Sequence, residues 1–408
     1  MVRYEKALLT IGLGSLVIFS RIGSLVLVPL WIDSTSCNGT VDNTSTVPSY
    51  RRIDTFFIVV TQGVTNTLLF GILLLSLLVF FPKKITEFEW KYPKRQFLIP
   101  GTAITISAIL TCAALSGKRT APYLISVLSN FNIPITFVIR FIILRKRPTL
   151  KKLLCAIVVF LSELMCLIPS IFPSLETSSQ HQQDGGAQGV AGVLWPLCFI
   201  SSMIPFGLTN TFNERSVQKS AGNTSEAKRL NIIFFLFGYS LSQLIAAVVL
   251  FWVDIIPGFG NASGISDLFQ TWWFNAQCSI GLAGCSATQA SYFSGMVWCN
   301  IIADIGINLF LRFTEGANYL VMLLTIRTPL LFLFWTLFRE CPFYWDPHAN
   351  LSTYLSIGAI ALMLPAMYIY NTGDPEHMKT SSETDARKPL LANDKTCDRY
   401  GSNVHDIQ

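Results

Sequence analysis

The sequence predicts an all-α membrane protein with ten transmembrane helices, arranged as two inverted repeats of five helices each. Three observations support this prediction. Hydrophobic residues make up 51% of the 408-residue chain and charged residues only 13%, about half the charged fraction of a soluble domain. Ten segments of about 20 apolar residues follow one another along the chain. The fourth and ninth segments share a pattern of prolines, which indicates an internal repeat.

The apolar segments define the predicted spans. The ten spans cover residues 7–30, 54–81, 97–116, 122–144, 153–172, 193–213, 230–254, 291–313, 317–338 and 351–370. The first span lacks a small-residue cleavage site and contains Arg21. We therefore expect a retained helix at this position rather than a signal peptide.

The distribution of basic residues predicts the orientation. With the N-terminus in the cytosol, 22 of the 30 Lys and Arg residues fall in cytosolic segments and five on the opposite side. Positively charged segments tend to stay in the cytosol during insertion, so both termini are predicted to be cytosolic. The chain then divides, in order, into a first repeat (1–172), a lumenal linker (173–192), a second repeat (193–370) whose lumenal loop covers 255–290, and a cytosolic tail (371–408).

Glycosylation sequons agree with this orientation. Asn38 and Asn43 lie in the first lumenal segment and Asn261 lies in the long lumenal loop, where all three are predicted to carry glycans. Asn223 falls on the cytosolic side and should stay unmodified. Asn350 lies at the edge of the tenth span, which is too close to the membrane for modification.

The long lumenal loop contains two cysteines and a group of aromatic residues. Cys278 and Cys285 are separated by six residues, and the lumen permits oxidation, so we predict a disulfide bond between them. A bond from either one to Cys37 or Cys341 is the alternative that the sequence leaves open. The aromatic residues between 269 and 274 favour a short helix at the membrane surface.

The eighth span contains an acidic residue near its middle. Asp304 has mostly apolar neighbours, and Asn300 and Asn308 lie one helical turn before and after it on the same face. A carboxyl group at that depth costs several kcal/mol unless it faces a polar cavity. The eighth helix is therefore predicted to line such a cavity, with Asp304 as proton acceptor or as counter-charge to a cationic or zwitterionic substrate. The alternative is a polar clamp between helices, without a ligand.

Other ionisable residues lie within the spans. Arg327 is predicted to neutralise Asp304, so that a substrate or a proton competes for the pair. Glu163, near the middle of the fifth span, is the second carboxylate candidate, although a structural pairing with an arginine fits it equally well. Arg21 is a further candidate in the first span. Arg140 lies within about one turn of the cytosolic edge, where its side chain can reach the headgroups.

Prolines within the spans point to further candidate ligands. Pro134, Pro205 and Pro329 free backbone carbonyl groups inside helices, although a simple kink is an equally good interpretation of each. Candidate side chains beside these carbonyl groups are Asn130, Asn132 and Asn210.

The proline pattern links the chain to secondary transporters. In the fourth and ninth spans, a mid-span proline (Pro134 or Pro329) is followed by an aromatic-containing half-helix, a basic exit and a second proline (Pro148 or Pro342). Because each half has five spans, the second copy inserts upside down relative to the first. Inverted repeats with interrupted helices are typical of secondary transporters, which bind substrate near the membrane midplane.

Three groups of residues also carry a resemblance to a known family. They are Phe131-Asn-Ile-Pro-Ile, then Ile200-Ser-Ser-Met-Ile-Pro with Asn210 and Glu214, and then Asn300 to Asp304 followed by Arg327-Thr-Pro. In this order they resemble the chloroquine resistance transporter family of the drug/metabolite transporter superfamily, across nearly the whole membrane part. The resemblance implies a proton-coupled transporter of small organic solutes (amino acids, small peptides, glutathione-like thiols or organic cations) in a lysosomal or vacuolar membrane.

The chain departs from that family at two places. It has Arg327-Thr328-Pro329 where the malarial member of the family has Gln-Gly-Pro, which places a cation near the midplane. The loop before the eighth span offers only Cys278 and Cys285, where the family usually has two disulfides. The family's substrate preference is therefore not transferred to this chain.

Other functional classes fit the sequence less well. A nucleotide-sugar transporter of the Golgi or endoplasmic reticulum is the alternative, and its anionic substrates would use Arg21, Lys118 and Arg327. A membrane-embedded aspartyl protease needs two facing aspartates, whereas only Asp304 lies deep within a span. All four histidines lie in loops or the tail, which argues against His-box metal oxidases. We therefore predict no enzymatic activity, no cofactor and no metal site.

The tail contains an acidic residue, Asp385, upstream of Leu390 and Leu391, an arrangement that resembles a lysosomal sorting signal read by clathrin adaptors. This favours a lysosomal or vacuolar membrane, whose acidic lumen would supply a proton gradient. The expected partners are a small-molecule substrate, protons, the lipid bilayer and clathrin adaptors. Nucleic acid is not expected, because basic residues in a multi-span protein chiefly set its topology.

Overall fold

The structure is a computed structural model that describes residues 2–37, 53–115, 119–120, 128–129, 131–145, 149–166, 168, 190–218, 230–260, 262–314, 316–339, 343–347 and 351–372. The helices are α1 (Val2–Cys37), α2 (Thr55–Phe80), α3 (Glu87–Lys91), α4 (Arg95–Leu115), α5 (Asn132–Leu144), α6 (Leu150–Cys166), α7 (Val190–Gln218), α8 (Ile232–Val249), α9 (Ile265–Ser279), α10 (Ala287–Phe313), α11 (Ala317–Thr325), α12 (Arg327–Leu337) and α13 (Leu351–Thr372). Short 3₁₀ helices cover Pro82–Lys84 and Phe251–Ile255. The two-residue strands β1 (Phe338–Arg339) and β2 (Tyr344–Trp345) pair antiparallel.

Within the described ranges, eight helical segments are long and apolar enough to cross a membrane. They are α1, α2, α4, α7, α8, α10, the α11–α12 pair and α13. The fourth and fifth predicted spans correspond to α5 and α6, which the structure describes over 13 and 17 residues. The prediction of an all-α membrane protein is therefore confirmed.

Two helices begin two residues before a proline. α5 begins at Asn132 and has Pro134 as its third residue, and α12 begins at Arg327 and has Pro329 as its third residue. The backbone N–H groups in the first turn of a helix have no intrahelical acceptor. Proline, which has no N–H, is therefore tolerated there. Ile326 separates α11 from α12, so the ninth span is an interrupted helix, as the sequence predicts.

Helices from the two halves of the chain pack against each other in pairs. The most extensive pairs are α1 with α10, α4 with α7, α6 with α13, and α8 with both α2 and α4. α5 packs on α7, and α11 is buried along its whole length. The largest cluster of buried apolar side chains gathers around the end of α10, the length of α11 and the end of α13.

A glycine allows α4 and α8 to approach closely. A Cβ atom added at Gly101 would lie 2.5 Å from Ser242 Cβ and 2.8 Å from the Tyr239 carbonyl oxygen. Thr105, one turn later, donates from its hydroxyl to the Gln243 carbonyl oxygen at 3.1 Å. Small residues at such crossings let helix backbones come together in a membrane, where lipid provides no hydrophobic drive for association.

Replacing this glycine should therefore destabilise the bundle. We expect Gly101→Val to cost about 1–3 kcal/mol, the usual penalty for overpacking. A lower midpoint of thermal unfolding in detergent would measure the loss. Gly12→Val is the matched control, because a Cβ at Gly12 meets no atom within 4 Å. Equal midpoints for the two variants would contradict a tight α4–α8 crossing.

Helix α9 in the long loop is held against the start of α2. Trp272 Nε1 donates to Asp54 Oδ2 at 3.0 Å, and the Asp54 backbone N–H donates to Asn275 Oδ1 at 3.3 Å. The Trp272 ring also stacks on Phe56, with centroids 5.9 Å apart. Of the aromatic group near 269–274, Trp272 thus faces the protein, which fixes the position of the loop helix.

The end of this loop carries the predicted disulfide bond. Cys278 and Cys285 are joined, with their Cα atoms 5.2 Å apart. Phe269 and Trp273, on another face of α9, are 56% and 67% exposed. These exposed rings fit the predicted location at the membrane surface, which stays a prediction.

Candidate functional site

The carboxylate of Asp304 lies where three helices meet. Asp304 is on α10, and its Oδ1 accepts from Arg21 Nη2 of α1 at 3.2 Å. Its Oδ2 accepts from Asn66 Nδ2 of α2 at 2.9 Å. All three residues lie near the middle of their helices, so the contact is far from both ends of the bundle.

A second set of hydrogen bonds orients the guanidinium of Arg21. Its Nη1 donates to Asn300 Oδ1 at 3.2 Å, and the same oxygen accepts from Ser24 Oγ at 3.0 Å. Asn300 therefore fixes the angle at which Arg21 approaches Asp304. The Arg21 and Asp304 side chains are 23% and 12% exposed, so the pair is not completely sealed off.

Two amide oxygens in this network have no hydrogen-bond donor among the residues that the structure describes. They are Asn66 Oδ1 and Asn308 Oδ1, both fully buried atoms. Asn308 instead donates its Nδ2 to the Asp304 carbonyl oxygen at 2.8 Å. Unmatched acceptors are costly in a membrane interior, where water is scarce. The site is therefore able to accept hydrogen bonds from a ligand or from water.

Tyr239 and Gln62 complete the surroundings. Tyr239 on α8 is buried, stacks on Phe235 at 6.2 Å between centroids, and is close enough to Asp304 and Arg21 to interact electrostatically. Gln62, one turn before Asn66 on α2, is also close enough to the Asp304 carboxyl group to interact with it. Four helices thus contribute polar groups to one place in the bundle.

The structure brings together four of the predicted site residues. Asp304, Asn300, Asn308 and Arg21 form one network, whereas the predicted pairing of Asp304 with Arg327 is not the one observed. The cation at Asp304 is Arg21, because the adjacent packing of α1 and α10 places the two side chains face to face.

The remaining candidates lie elsewhere. Asn132 and Asn210 are buried on α5 and α7. Glu163 belongs to α6, but its side chain is outside the described residues. Also outside the described residues are Asn130, the three predicted glycosylation sites and the sorting signal, namely Asn38, Asn43, Asn261, Leu390 and Leu391.

Sequence reasoning missed Asn66, Ser24 and Tyr239. Gln62 and Asn66 stand at i and i+4 in an otherwise apolar helix, which is a usable signal for a polar face. The expectation for Arg140 was also wrong. Its side chain is 1% exposed and pairs with Glu214 instead of reaching the headgroups.

Comparison with known proteins identifies the family. A family model described as CRT-like, chloroquine-resistance transporter-like, matches residues 49–370. The chain belongs to the CRT-like family. A curated relative, Crt homolog 1 of Dictyostelium discoideum, is 27% identical over 176 residues, which is 43% of this chain and 33% of that protein. The match thus spans about a third of the relative's length, and the resemblance seen in the sequence is confirmed.

The part of this chain that matches the CRT-like family contains most of the site. Asn66, Asn300, Asp304 and Asn308 lie within residues 49–370, whereas Arg21 and Ser24 precede them. The family match therefore covers the aspartate but not Arg21, whose pairing with Asp304 is seen only in the structure.

Proposed function

We propose that this chain is a secondary active transporter that moves small organic solutes across a lysosomal or vacuolar membrane, coupled to protons. The proposed solutes are amino acids, small peptides, glutathione-like thiols and organic cations. The observation that carries the proposal is the Arg21–Asp304 ion pair, which is partly exposed and lies near the middle of α1 and α10. Membership of the CRT-like family, a transporter family, supports the same conclusion.

The ion pair can receive groups of either charge. A substrate ammonium group can replace Arg21 at Asp304, and a substrate carboxylate can replace Asp304 at Arg21. Asn66 Oδ1 and Asn308 Oδ1 are available to accept from the additional N–H groups of an ammonium. A cation or zwitterion therefore suits this site better than an anion, because these two amide oxygens can accept hydrogen bonds from an ammonium group but cannot donate to an anion. This disfavours a nucleotide sugar as the substrate.

Protons are proposed to act at Asp304. A proton on its carboxyl group removes the negative charge that holds Arg21, which weakens the contact between α1 and α10. A cationic substrate and a proton then compete for one carboxylate. Such competition at a single group is a simple way to couple solute movement to a proton gradient.

The ten-helix inverted repeat is part of this proposal. α5 and α12 begin in the same way, two residues before a proline. A repeat that relates the first five spans to the last five would map α1 onto α7 and α4 onto α10. The pair of α1 with α10 and the pair of α4 with α7 are then equivalent contacts. Both features support two copies of one unit that face each other across the membrane.

The proposed orientation places both termini in the cytosol. It is supported by the 22 to five distribution of Lys and Arg residues. Glycans are then expected at Asn38, Asn43 and Asn261 and not at Asn223. Glycosidase mapping that found sugar at Asn223 would reverse the orientation.

The function is tested by uptake into vesicles. The purified protein is reconstituted, a pH gradient is imposed, and labelled amino acids, dipeptides, glutathione, an organic cation and a nucleotide sugar are offered in turn. We expect gradient-dependent accumulation of at least one cationic or zwitterionic solute. Collapse of the gradient by a protonophore should remove the accumulation. Accumulation of the nucleotide sugar alone would overturn the proposed substrate class.

A further inference from the structure

A second buried ion pair lies away from the Asp304 network. Arg140 of α5 donates from Nε to Glu214 Oε2 and from Nη2 to Glu214 Oε1, each at 2.8 Å. Both side chains are 1% exposed. The paired hydrogen bonds fix α5 and α7 in one relative position, because a guanidinium and a carboxylate match only when they are coplanar.

Glu214 also holds the start of a third helix. The Ala317 backbone N–H donates to Glu214 Oε2 at 2.8 Å, at the first residue of α11. The preceding residue is Gly316, with φ of +107°, and a Cβ added there would overlap the Glu214 carboxylate. Glycine is therefore needed for both the backbone angle and the space. One carboxylate thus ties α5, α7 and α11 together.

The surrounding end of the bundle is densely packed. Tyr319 stacks between Phe310 and Tyr370, with centroids 5.3 and 5.8 Å away. Lys152, whose side chain is buried, lies over the Tyr370 ring at 5.3 Å. These residues and the Arg140–Glu214 pair come from the ends of helices that are predicted to face the cytosol. The described side chains at that end are therefore tightly packed, whereas the Arg21–Asp304 pair is partly exposed.

A line of polar groups leads along α5 toward the Arg140–Glu214 pair. Asn132, Thr136 and Arg140 follow one another at intervals of four residues, and all three are buried. Thr136 packs against Gly207 of α7, where a Cβ would lie 3.1 Å from its hydroxyl oxygen. Asn210, one turn further on α7, has a buried Nδ2 without an acceptor among the described residues. The seam between α5 and α7 is therefore polar on the side that leads to the pair.

We propose that Arg140, Glu214 and the Gly316–Ala317 backbone form a latch that closes the transport pathway at the predicted cytosolic end. When the latch breaks, α5 and α11 move away from α7 and the polar seam becomes accessible from the cytosol. A buried ion pair is not an efficient way to gain stability, since apolar residues of similar volume often do as well. Such a pair is better suited to switching the α5–α7 seam between a closed and an open state. The latch rests on the proposed transport function, but its structural change is measurable without any substrate.

The first test measures accessibility of the seam. Asn132→Cys is introduced into a chain whose other thiols are replaced, with the Cys278–Cys285 disulfide kept, and a membrane-impermeant thiol reagent is applied to inside-out vesicles. We expect slow labelling with the latch intact. Glu214→Gln should raise the labelling rate by about tenfold or more, because it removes the charge that holds Arg140.

Two further variants make this result decisive. Gly316→Ala displaces the Glu214 carboxylate without removing a charge, so it should also speed labelling if Glu214→Gln fails to fold. Glu87→Gln is the control, because it breaks an ion pair with Lys91 whose members are 86% and 77% exposed. It should leave the rate unchanged. Equal labelling rates for the intact latch and for every latch variant that folds would overturn the proposal.

The second test closes the seam covalently. A Cβ at Gly207 would lie 3.5 Å from Thr136 Cα, which is compatible with a disulfide between Thr136→Cys and Gly207→Cys. Oxidation should stop solute uptake, and reduction should restore it. Undiminished uptake in the oxidised form would contradict the proposed latch but not the proposed transport function. If no variant transports any solute, the function fails, whereas the labelling rates still decide the latch.

Discussion

Asp304→Asn is expected to reduce proton-driven uptake strongly while the protein keeps its fold. Asparagine is nearly the same shape as aspartate, and its Oδ1 can still accept from Arg21 or Asn66. It cannot carry the charge or the proton on which the proposed mechanism depends. A hydrogen bond to a charged group contributes about 1.5–3 kcal/mol, so uptake should fall by roughly 10- to 100-fold or more.

The measurement is the initial uptake rate as a function of pH, with gel-filtration profile and membrane insertion as checks on folding. Asp267→Asn is the control, because the Asp267 carboxylate of α9 accepts hydrogen bonds from the backbone N–H and hydroxyl of Ser263 at an exposed position outside the Asp304 network. It should leave both rate and pH profile unchanged. If Asp304→Asn transported at the normal rate with an unaltered pH profile, Asp304 would be only a clamp between helices. Glu163 would then become the next residue to test.

Arg21→Gln is expected to have the largest effect on stability within the site. It leaves the Asp304 carboxylate buried without a cation, which costs about 3–5 kcal/mol in a fully sealed pair. Because the two side chains are 23% and 12% exposed, we expect about 2 kcal/mol here. The thermal unfolding midpoint in detergent should fall by several degrees.

The double variant Arg21→Gln with Asp304→Asn distinguishes pairing from packing. Two neutral amides can hydrogen-bond to each other, so most of the lost stability should return. Lys91→Gln, which breaks the exposed pair with Glu87, is the control and should not shift the midpoint. A double variant whose loss equals the sum of the two single losses would show that Arg21 and Asp304 are not energetically coupled.

The partner of Asp304 illustrates where sequence reasoning stops. Arg327 is the cation that the sequence predicts for Asp304, because both residues lie within spans and a buried charge tends to find a partner. Arg21 is the observed one, although 283 positions separate it from Asp304. Hydropathy gives the depth of each residue within its span, and depth is enough to identify Arg21, Arg327 and Asp304 as candidates. It does not give the rotation of a helix about its axis or its neighbours, so it could not choose between the two cations.

The burial of Arg140 against Glu214 also could not be predicted from the sequence. At its depth Arg140 could have reached the headgroups, and nothing in the local sequence of α5 argues against that. Its burial depends on α7 and α11, which are brought to it by the packing of distant parts of the chain. A side chain near a helix end is therefore assigned to lipid or to protein only after the neighbours are known.

The sequence alone determined the helical membrane fold, the interruption of the ninth span just before Pro329, the Cys278–Cys285 pair and the polar stripe that contains Asp304. These properties depend on residues close together in the chain: an apolar run, a missing amide hydrogen, two nearby thiols and a polar stripe at helical spacing. Only the tertiary structure decided that Arg21 and Asn66 meet Asp304 and that Glu214 ties three helices. Those contacts depend on how the helices pack, and packing is determined together by the side chains on the surfaces of all the helices, which are distant in sequence.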